Sequence, residues 1–198
     1  MLQITDFYQK RRSIYALGSS ISLSDDQLEK LIGECIKQAP SAFNSQSGRV
    51  ALLLGNEHQK LWQIVLDTLS QITPPERFNT TKIKISSFSA GYGTILFFED
   101  DDVIQKLQTD FPLYKDAFPS FSCQSSGMLQ YMVWTALAAK NIGASLQHYN
   151  PLIDNMVKET WQIPLSWRLI SQMPFGKIEA IADEKDFEPL INRFKIFT

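Results

Sequence analysis

The clearest pattern in the sequence is an apolar stripe at helical spacing near the N-terminus. Ser24 precedes it, and Gln27 three residues later completes a capping box, in which each side chain pairs with the other residue's backbone N–H. Pro40 marks its end, because proline cannot continue a helix. The pattern predicts a helix from 24 to 39 with one buried face, formed by Leu28, Leu31, Ile32, Cys35, Ile36 and Ala39.

Short apolar runs elsewhere in the chain have the length of buried strands. They lie at 49–54 (RVALLL), 94–98 (TILFF) and 169–173, and a shorter strand is predicted at 145–147. Helices are predicted at 6–12, at 56–69 with a cap formed by Asn56 and Gln59, and from Pro151 onward. Strands that alternate with helices indicate an α/β or α+β sheet sandwich.

The longest predicted helix runs from 124 to 141 and is apolar on most of its faces. A helix of this kind is buried, either in the core of its own chain or against another subunit. Gly143 is expected to end it. The segment 74–90 is expected to form a polar, lysine-bearing loop, and 111–121, rich in proline and aromatic residues, is expected to be irregular.

Composition and charge narrow the class of protein without identifying an activity. The chain has 198 residues, 44% of them hydrophobic, which suits one domain spanning 1–198. A formal net charge of −2 gives no reason to expect a nucleic-acid partner or a membrane surface. Residues 1–7 do not resemble a signal peptide, and no apolar run is long enough to cross a membrane. We therefore expect a cytoplasmic protein in which Cys35 is a buried thiol and no disulfide forms.

Several common catalytic motifs are missing from the sequence. No GxxxxGK[ST], GxGxxG, GxSxG or HExxH pattern occurs, so phosphate-loop, Rossmann, serine-hydrolase and zinc-protease sites have no support. His58 falls in the first turn of a predicted helix and is expected to face solvent. The acidic run at 99–102 favours a helix N-terminus, and a metal site is its alternative interpretation, although no metal is expected.

Cationic side chains are clustered at two places in the chain. Arg11, Arg12 and Ser13 offer two guanidinium groups and a hydroxyl in three consecutive positions, a combination suited to a phosphate monoester. Arg193 and Lys195 alternate with apolar residues, so an extended segment would direct both cations to one side. Taken alone, each cluster is also compatible with a solvated basic surface.

A polar loop at 40–46 follows the helix predicted at 24–39. Ser41, Asn44 and Gln46 supply hydroxyl and amide groups that can hydrogen-bond the edge of a heterocycle. Residues of these types also form ordinary turns after a helix. The loop is therefore a candidate ligand-binding segment or a plain helix stop.

Taken together and in order, these segments resemble the FMN-dependent nitroreductase family over nearly the whole chain. The motifs that carry the resemblance are KRRSIYAL (10–17), APSAFNSQ (39–46), KISSFSAGYGTILFFED (84–100), SSGMLQYMVWTAL (125–137), GASLQHYNP (143–151) and SQMPFG (171–176). GYGTILFFED and LQHYNP are similar to a compact branch with lactococcal and fungal members. The resemblance implies an α+β fold, a three-layer α/β/α sandwich with a mostly antiparallel central sheet and a long buried helix at a dimer interface.

The same resemblance implies a homodimer that binds two FMN molecules at its subunit interface. Arg11, Arg12 and Ser13 would bind the phosphate and ribityl oxygens. Arg193 and Lys195 would close on the same phosphate. No separate catalytic dyad is implied, because the flavin itself carries the hydride.

The flavin ring would be contacted by three further segments. Ser41, Asn44 and Gln46 belong to the loop that would reach the ring from the partner subunit. Lys84 would approach its N1–O2 edge, where a cation stabilises the reduced anion. A third segment would lie at N5 and donate a backbone N–H, and it consists of Leu146, Gln147 and His148.

The chain departs from the family pattern at three places. Tyr15 stands where many members carry lysine, Ser47-Gly48 stands where many have Pro-Trp, and Gln147-His148 replaces a common Glu-Gly. The acceptor preference and the flavin potential are therefore not carried over. His148 is either a proton donor on the acceptor side or a loop residue that faces solvent or the dimer interface.

The implied activity is transfer of hydride from NADH or NADPH through FMN to nitroaromatic or quinone-type acceptors by a ping-pong mechanism. One alternative keeps the chemistry but takes an oxidised lipid or an enone as the natural acceptor. Another makes the protein a flavin-binding redox sensor or regulatory partner with incidental turnover.

Overall fold

A five-stranded antiparallel sheet forms the middle layer of the computed structural model, which describes residues 3–198. The strands are β1 (Leu17–Gly18), β2 (Gly48–Leu54), β3 (Gly93–Asp100), β4 (Ile142–Ala144) and β5 (Trp167–Ile178). The main path of the sheet is β1-β5-β3-β2, and β4 also pairs with β5. β5 is therefore the strand that holds three others in register.

Seven α-helices occur in the described part of the chain, together with three single turns of 3₁₀-helix. The helices are α1 (Ile4–Lys10), α2 (Asp25–Gln38), α3 (Gly55–Ile72), α4 (Pro75–Ser89), α5 (Asp101–Asp110), α6 (Phe118–Ala139) and α7 (Asp154–Trp161).

β3 is buried along its whole length, which explains its continuous apolar sequence. Ile95 and Phe97 point to one face of the sheet, where α2 and α6 pack, and Leu96 and Phe98 point to the other, where α3, α4 and α7 pack. Burying each such side chain contributes about 1.5–3 kcal/mol. The structure thus confirms the predicted three-layer α/β/α sandwich with an antiparallel sheet.

The local signals for α2 and for the three main strands are confirmed. Ser24 is the N-cap of α2, with its hydroxyl accepting from Gln27 N at 3.3 Å and its own N–H donating to Gln27 Oε1 at 3.0 Å. Cys35 is buried on the inner face of α2. Both cysteines are free thiols. Asp100 caps α5, as the acidic run suggested, although Glu99 and Asp100 still belong to β3.

The prediction of a loop at 74–90 is wrong, because this segment forms helix α4. Pro75 occupies the first turn. The N–H groups of a first turn have no acceptor within the helix, so the N–H that proline lacks is not missed there. Only Ile85 and Phe88 of this helix are buried, so its apolar periodicity is too sparse to be recognised in the sequence. The correction matters because Lys84 lies on this rigid helix and not on a flexible loop.

The segment 111–121 is also more regular than expected. It contains a 3₁₀ turn at Pro112–Tyr114 and the first residues of α6, which begins at Phe118 and not at 124. Gly143 does not end this helix, because it lies in β4. The residue with left-handed backbone after the helix is Asn141, with φ 60°. The strand expected at 145–147 lies at Ile142–Ala144 instead, followed by an isolated bridge.

Three predicted helix starts are displaced by one to three residues. α1, predicted at 6–12, spans Ile4–Lys10. α3 begins at Gly55 with Leu54 as its N-cap, and Asn56 forms no cap. α7 begins at Asp154, because Pro151 belongs to the preceding turn. Among residues 3–198, no helix is both long and apolar enough to span a membrane. Met1 and Leu2, part of the segment compared with signal peptides, lie outside the described residues.

His58 is buried, so the expectation that it faces solvent is wrong. Its Nδ1 lies 2.8 Å from Thr94 Oγ1 and its Nε2 3.1 Å from the Ser89 carbonyl. Trp62 Nε1 donates to the same Thr94 hydroxyl at 3.0 Å. The Ser89 carbonyl can only accept, so a neutral ring protonated on Nε2 satisfies all of these groups. Burial lowers the pKa of His58, which favours this neutral form.

Candidate functional site

The first candidate pocket lies at the end of α1 and has a volume of about 460 Å³. Arg11, Arg12, Ser13 and Tyr15 line one side. The C-terminal segment from Ala180 to Lys185 lines the other. Three of the residues predicted to bind phosphate, Arg11, Arg12 and Ser13, therefore lie in one cavity.

Arg11 is held in place by an aromatic ring. Its guanidinium carbon lies 4.3 Å from the centre of the Trp134 ring, and Trp134 Nε1 donates to the Ala144 carbonyl at 3.2 Å. The Nε–H of Arg11 is buried and has no acceptor among residues 3–198. A buried cationic donor that lacks a partner is suited to binding an anion. Arg12 differs, since its Nη2 already donates to the Asp183 carbonyl.

The segment that follows β4 has one edge paired with β5 and a second, outer edge. Ser145 N and Gln147 N donate to Pro174 and Gln172 of β5, at 3.3 and 2.7 Å. Alternation along an extended chain turns the N–H groups of Leu146 and His148 to the opposite edge. Neither of these two groups has a protein acceptor within residues 3–198.

Ser13 lies on that same outer edge. It forms a parallel bridge with Ala144, and Ile14 N donates to the Ala144 carbonyl at 2.9 Å. The unpaired N–H groups of Leu146 and His148 therefore continue the edge on which the Arg11–Ser13 segment is seated. Gln147 is bound into the sheet and buried, whereas the His148 side chain is exposed.

Lys84 approaches this region from α4. Its Nζ lies 6.0 Å from the centre of the Phe88 ring, and the Tyr15 ring lies 6.3 Å from the same Phe88 ring. Lys84 is not among the residues that line the first pocket, and Phe88 is the ring that separates it from Tyr15, which does line it.

A second pocket, of about 340 Å³, contains Ser41 and Gln46. The Ser41 hydroxyl accepts from Gln46 N at 2.9 Å and folds the loop into a tight turn. Phe43, Asn44 and Gln46 all adopt positive φ there. This pocket includes Trp167, at the start of β5, whereas β1 and β4 pair with the far end of that strand. Within one chain, the 41–46 loop is therefore not brought to the Arg11 pocket.

The structure does not bring the C-terminal cations to the first pocket either. Arg193 and Lys195 are exposed and follow a 3₁₀ turn at Leu190–Asn192. The pocket is lined instead by Lys185, a cation that the sequence reasoning missed. Its neighbours in sequence are mostly acidic, and this mixed charge pattern is typical of a solvated segment.

Sequence reasoning also missed Glu99, which lines the second pocket and is fully buried. Its Oε2 accepts from the Ser47 hydroxyl at 2.6 Å and from the Ser122 hydroxyl at 2.8 Å. Burial raises the pKa of this carboxyl, and the two hydroxyl donors only partly oppose the shift. No group of three or more potential metal ligands occurs among residues 3–198, so the acidic run at 99–102 has no support as a metal site there.

Comparison with known proteins identifies relatives along nearly all of the chain. The model of the nitroreductase family matches residues 8–177. Nitroreductase CinD from Lactococcus lactis, solved in complex with chloramphenicol, is 43% identical over 99% of this chain and 100% of its own, with a TM-score of 0.91. Two Saccharomyces cerevisiae proteins, HBN1 and nitroreductase FRM2, are 36% and 31% identical over 179 residues, 89% of each chain. A nitroreductase with bound FMN from Desulfitobacterium hafniense, at 15% identity and a TM-score of 0.71, shares the fold.

Proposed function

Because this chain belongs to the nitroreductase family, a family of flavin-dependent oxidoreductases, we propose that it is an FMN-dependent reductase. It takes hydride from NADH or NADPH and passes electrons to nitroaromatic or quinone-type acceptors. CinD, whose sequence is 43% identical, has been solved with chloramphenicol and with 4-nitrophenol, both of which carry a nitro group. The acceptor class is taken from that resemblance.

The observation that carries the proposal is the outer edge formed by Ser13, Ala144, Leu146 and His148. One end of this edge holds the unpartnered Nε–H of Arg11, a donor for a phosphate. The other end offers unpaired backbone N–H groups, donors for a ring nitrogen. An elongated ligand with an anionic tail and a flat heterocyclic head fits this donor set, and FMN has that form.

The residues of the chain hold and orient such a ligand. Arg11, kept rigid by Trp134, fixes the phosphate, and the Ser13 hydroxyl is a further donor beside it. Lys84 supplies a positive charge from α4, which favours an anionic reduced ring. FMN, when bound, supplies the hydride-accepting and hydride-donating centre. The His148 side chain is exposed, and as a proton donor on the acceptor side it would serve the reduced acceptor.

A second part of the proposal is that two chains share each site. Ser41 and Gln46 lie at the opposite end of the sheet from Arg11, so only a partner chain can bring them to the same ligand. Surface suited to a partner is present, since α6 leaves Met128 and Tyr131 about 40% exposed. The C-terminal segment also carries apolar side chains that are 76–89% exposed, at Ile181, Phe187, Ile191 and Phe197.

Flavin content and turnover test the first part. Protein purified without added flavin is expected to release FMN on denaturation, and anaerobic NADH or NADPH is expected to bleach the bound flavin. Steady-state oxidation of the nicotinamide should then depend on a nitroaromatic or quinone. A flavin that neither nicotinamide reduces would instead favour the redox sensor, and turnover confined to enones or oxidised lipids would change the acceptor class.

Mixed dimers test the shared site. A subunit with Arg11→Ala and Ser13→Ala is co-assembled with a subunit that carries Asn44→Ala and Gln46→Ala, each inactive as a homodimer. If the site is shared, each mixed dimer contains one site with all four changes and one native site, so activity returns. If each site lies within one chain, both sites stay damaged and mixing restores nothing.

A further inference from the structure

The second pocket contains a buried acid with an unsatisfied oxygen. Glu99 is fully buried, and both hydroxyl donors, from Ser47 and Ser122, bind the same oxygen, Oε2. Oε1 has no partner among residues 3–198. A buried polar atom without a partner is uncommon and is usually satisfied by a ligand or by water.

A glycine keeps the space in front of Oε1 open. Gly48 pairs with Glu99 across β2 and β3. A Cβ built on Gly48 would lie 3.8 Å from Glu99 Oε1 and 3.1 Å from Leu129 Cδ2. Any larger residue would therefore fill the space that the orphan oxygen faces. The glycine keeps a side chain away from this side of Oε1, where a methyl group would also crowd Leu129 Cδ2.

The proton of this carboxyl has one suitable position. Among residues 3–198 no cation lies within salt-bridge distance of Glu99, and ionising an unpaired buried carboxyl is costly. Burial raises the pKa of Glu99, which widens the pH range over which the neutral acid is present. In the neutral acid the proton belongs on Oε1, because Oε2 already accepts two hydrogen bonds, and the O–H then has no acceptor among residues 3–198.

The walls of the pocket define the rest of the ligand. Val50, Leu129 and Trp167 give it an apolar lining. The cations at its rim are neutralised, since Arg49 pairs with Asp100 at 3.0 Å and Lys37 pairs with Glu34 at 3.0 Å. The pocket volume of about 340 Å³ is within the range of small-molecule sites.

We propose that this pocket binds a small, flat, uncharged molecule whose carbonyl or nitro oxygen accepts a hydrogen bond from Glu99 Oε1. Within one chain the site is separate from the Arg11 pocket, and Glu99 is not among the residues assigned to the flavin. Ser41 and Gln46 line it, so in a shared-site dimer it adjoins the loop that reaches the partner's ligand.

The test uses the full chain and 4-fluoroacetophenone, an aromatic ketone, whose binding is followed by its ¹⁹F NMR linewidth. Glu99→Gln keeps an N–H donor at this position and is expected to bind the ketone as tightly as the wild type. Glu99→Met removes the donor, and about a tenfold loss of affinity is expected. Gly48→Ala fills the space and should weaken binding similarly, whereas Gly33→Ala, with nothing within 4 Å of its Cβ, is the matched control.

A second readout distinguishes donation from simple packing. Ionisation removes the O–H, so the affinity of the wild type for the ketone should fall as pH rises through the pKa of Glu99. The affinity of the Glu99→Gln protein should not change over the same pH range. Arg49 of β2, Asp100 of β3 and Arg168 of β5 also lie near this carboxyl, and they are unchanged in the comparison. This comparison remains decisive even if Gly48→Ala or Glu99→Met does not fold.

Several results would overturn the proposal. These are no binding by the wild type at millimolar ketone, equal binding by Glu99→Met or by Gly48→Ala, or the same pH profile in wild type and Glu99→Gln. FMN content is measured on the same samples. Protein that binds the ketone but no flavin would refute the proposed function alone, and flavin-loaded protein that does not bind the ketone would refute this pocket alone.

Discussion

Replacing Arg11 with alanine is the most direct test of the proposal that the Arg11 pocket binds a phosphate. The change removes a half-buried guanidinium that stacks at 4.3 Å on Trp134 and whose Nε–H has no acceptor in residues 3–198. A hydrogen bond to a charged group contributes about 1.5–3 kcal/mol. Losing one such bond to phosphate should therefore weaken FMN binding roughly 10- to 150-fold.

The assay is a fluorescence titration of deflavinated protein with FMN at fixed ionic strength. Arg77→Ala is the matched control, because Arg77 is exposed on α4 and away from the pocket. Arg11→Lys should give an intermediate loss, since lysine keeps the charge but not the planar group that stacks on the indole ring. FMN affinity that falls no further in Arg11→Ala than in Arg77→Ala would refute the assignment of this pocket to the phosphate.

Three further predictions concern stability and kinetics. Burial lowers the pKa of His58 in the folded protein, so as pH falls below about 6.5 the unfolded chain binds a proton before the folded protein does. The free energy of unfolding therefore decreases on acidification. Urea unfolding between pH 7.5 and 5.5 should therefore show a flatter profile for His58→Gln than for the wild type, and parallel profiles would contradict the buried neutral ring. Leu137→Ala, in the core, should cost about 2–5 kcal/mol, against less than about 0.5 kcal/mol for Leu165→Ala at an 87% exposed position. A single flavin face serving donor and acceptor in turn predicts parallel double-reciprocal lines, and intersecting lines would indicate separate sites.

The parts of the fold that could be predicted from sequence are those with a local cause. Ser24 and Gln27 predict the start of α2 because both partners of the capping box lie within one turn of each other in the sequence. The apolar run that contains Phe97 and Phe98 indicates a strand buried on both faces, and the structure has one. Helix α4 was not predicted because Pro74 and Pro75 stand at its start and only two of its side chains are buried.

Features that depend on distant partners were out of reach of sequence reasoning. His58 is buried because Ser89 and Thr94, more than thirty positions later, supply its partners. Glu99 looked like part of an acidic helix start, and only the hydroxyls of Ser47 and Ser122 reveal it as a buried acid. In each case the sequence contains the residue, but the fold determines its environment.

The same distinction applies to the candidate site. Arg11, Arg12 and Ser13 are adjacent in sequence, and one cavity collects them. Ser41 and Gln46 were assigned to the same ligand by resemblance alone, and a single chain keeps them near Trp167, at the other end of β5. An antiparallel sheet cannot bring its two ends together without folding on itself. If both assignments are correct, the second subunit is a chemical requirement of the site, because a monomer would leave the Arg11 pocket without the amide groups that complete it.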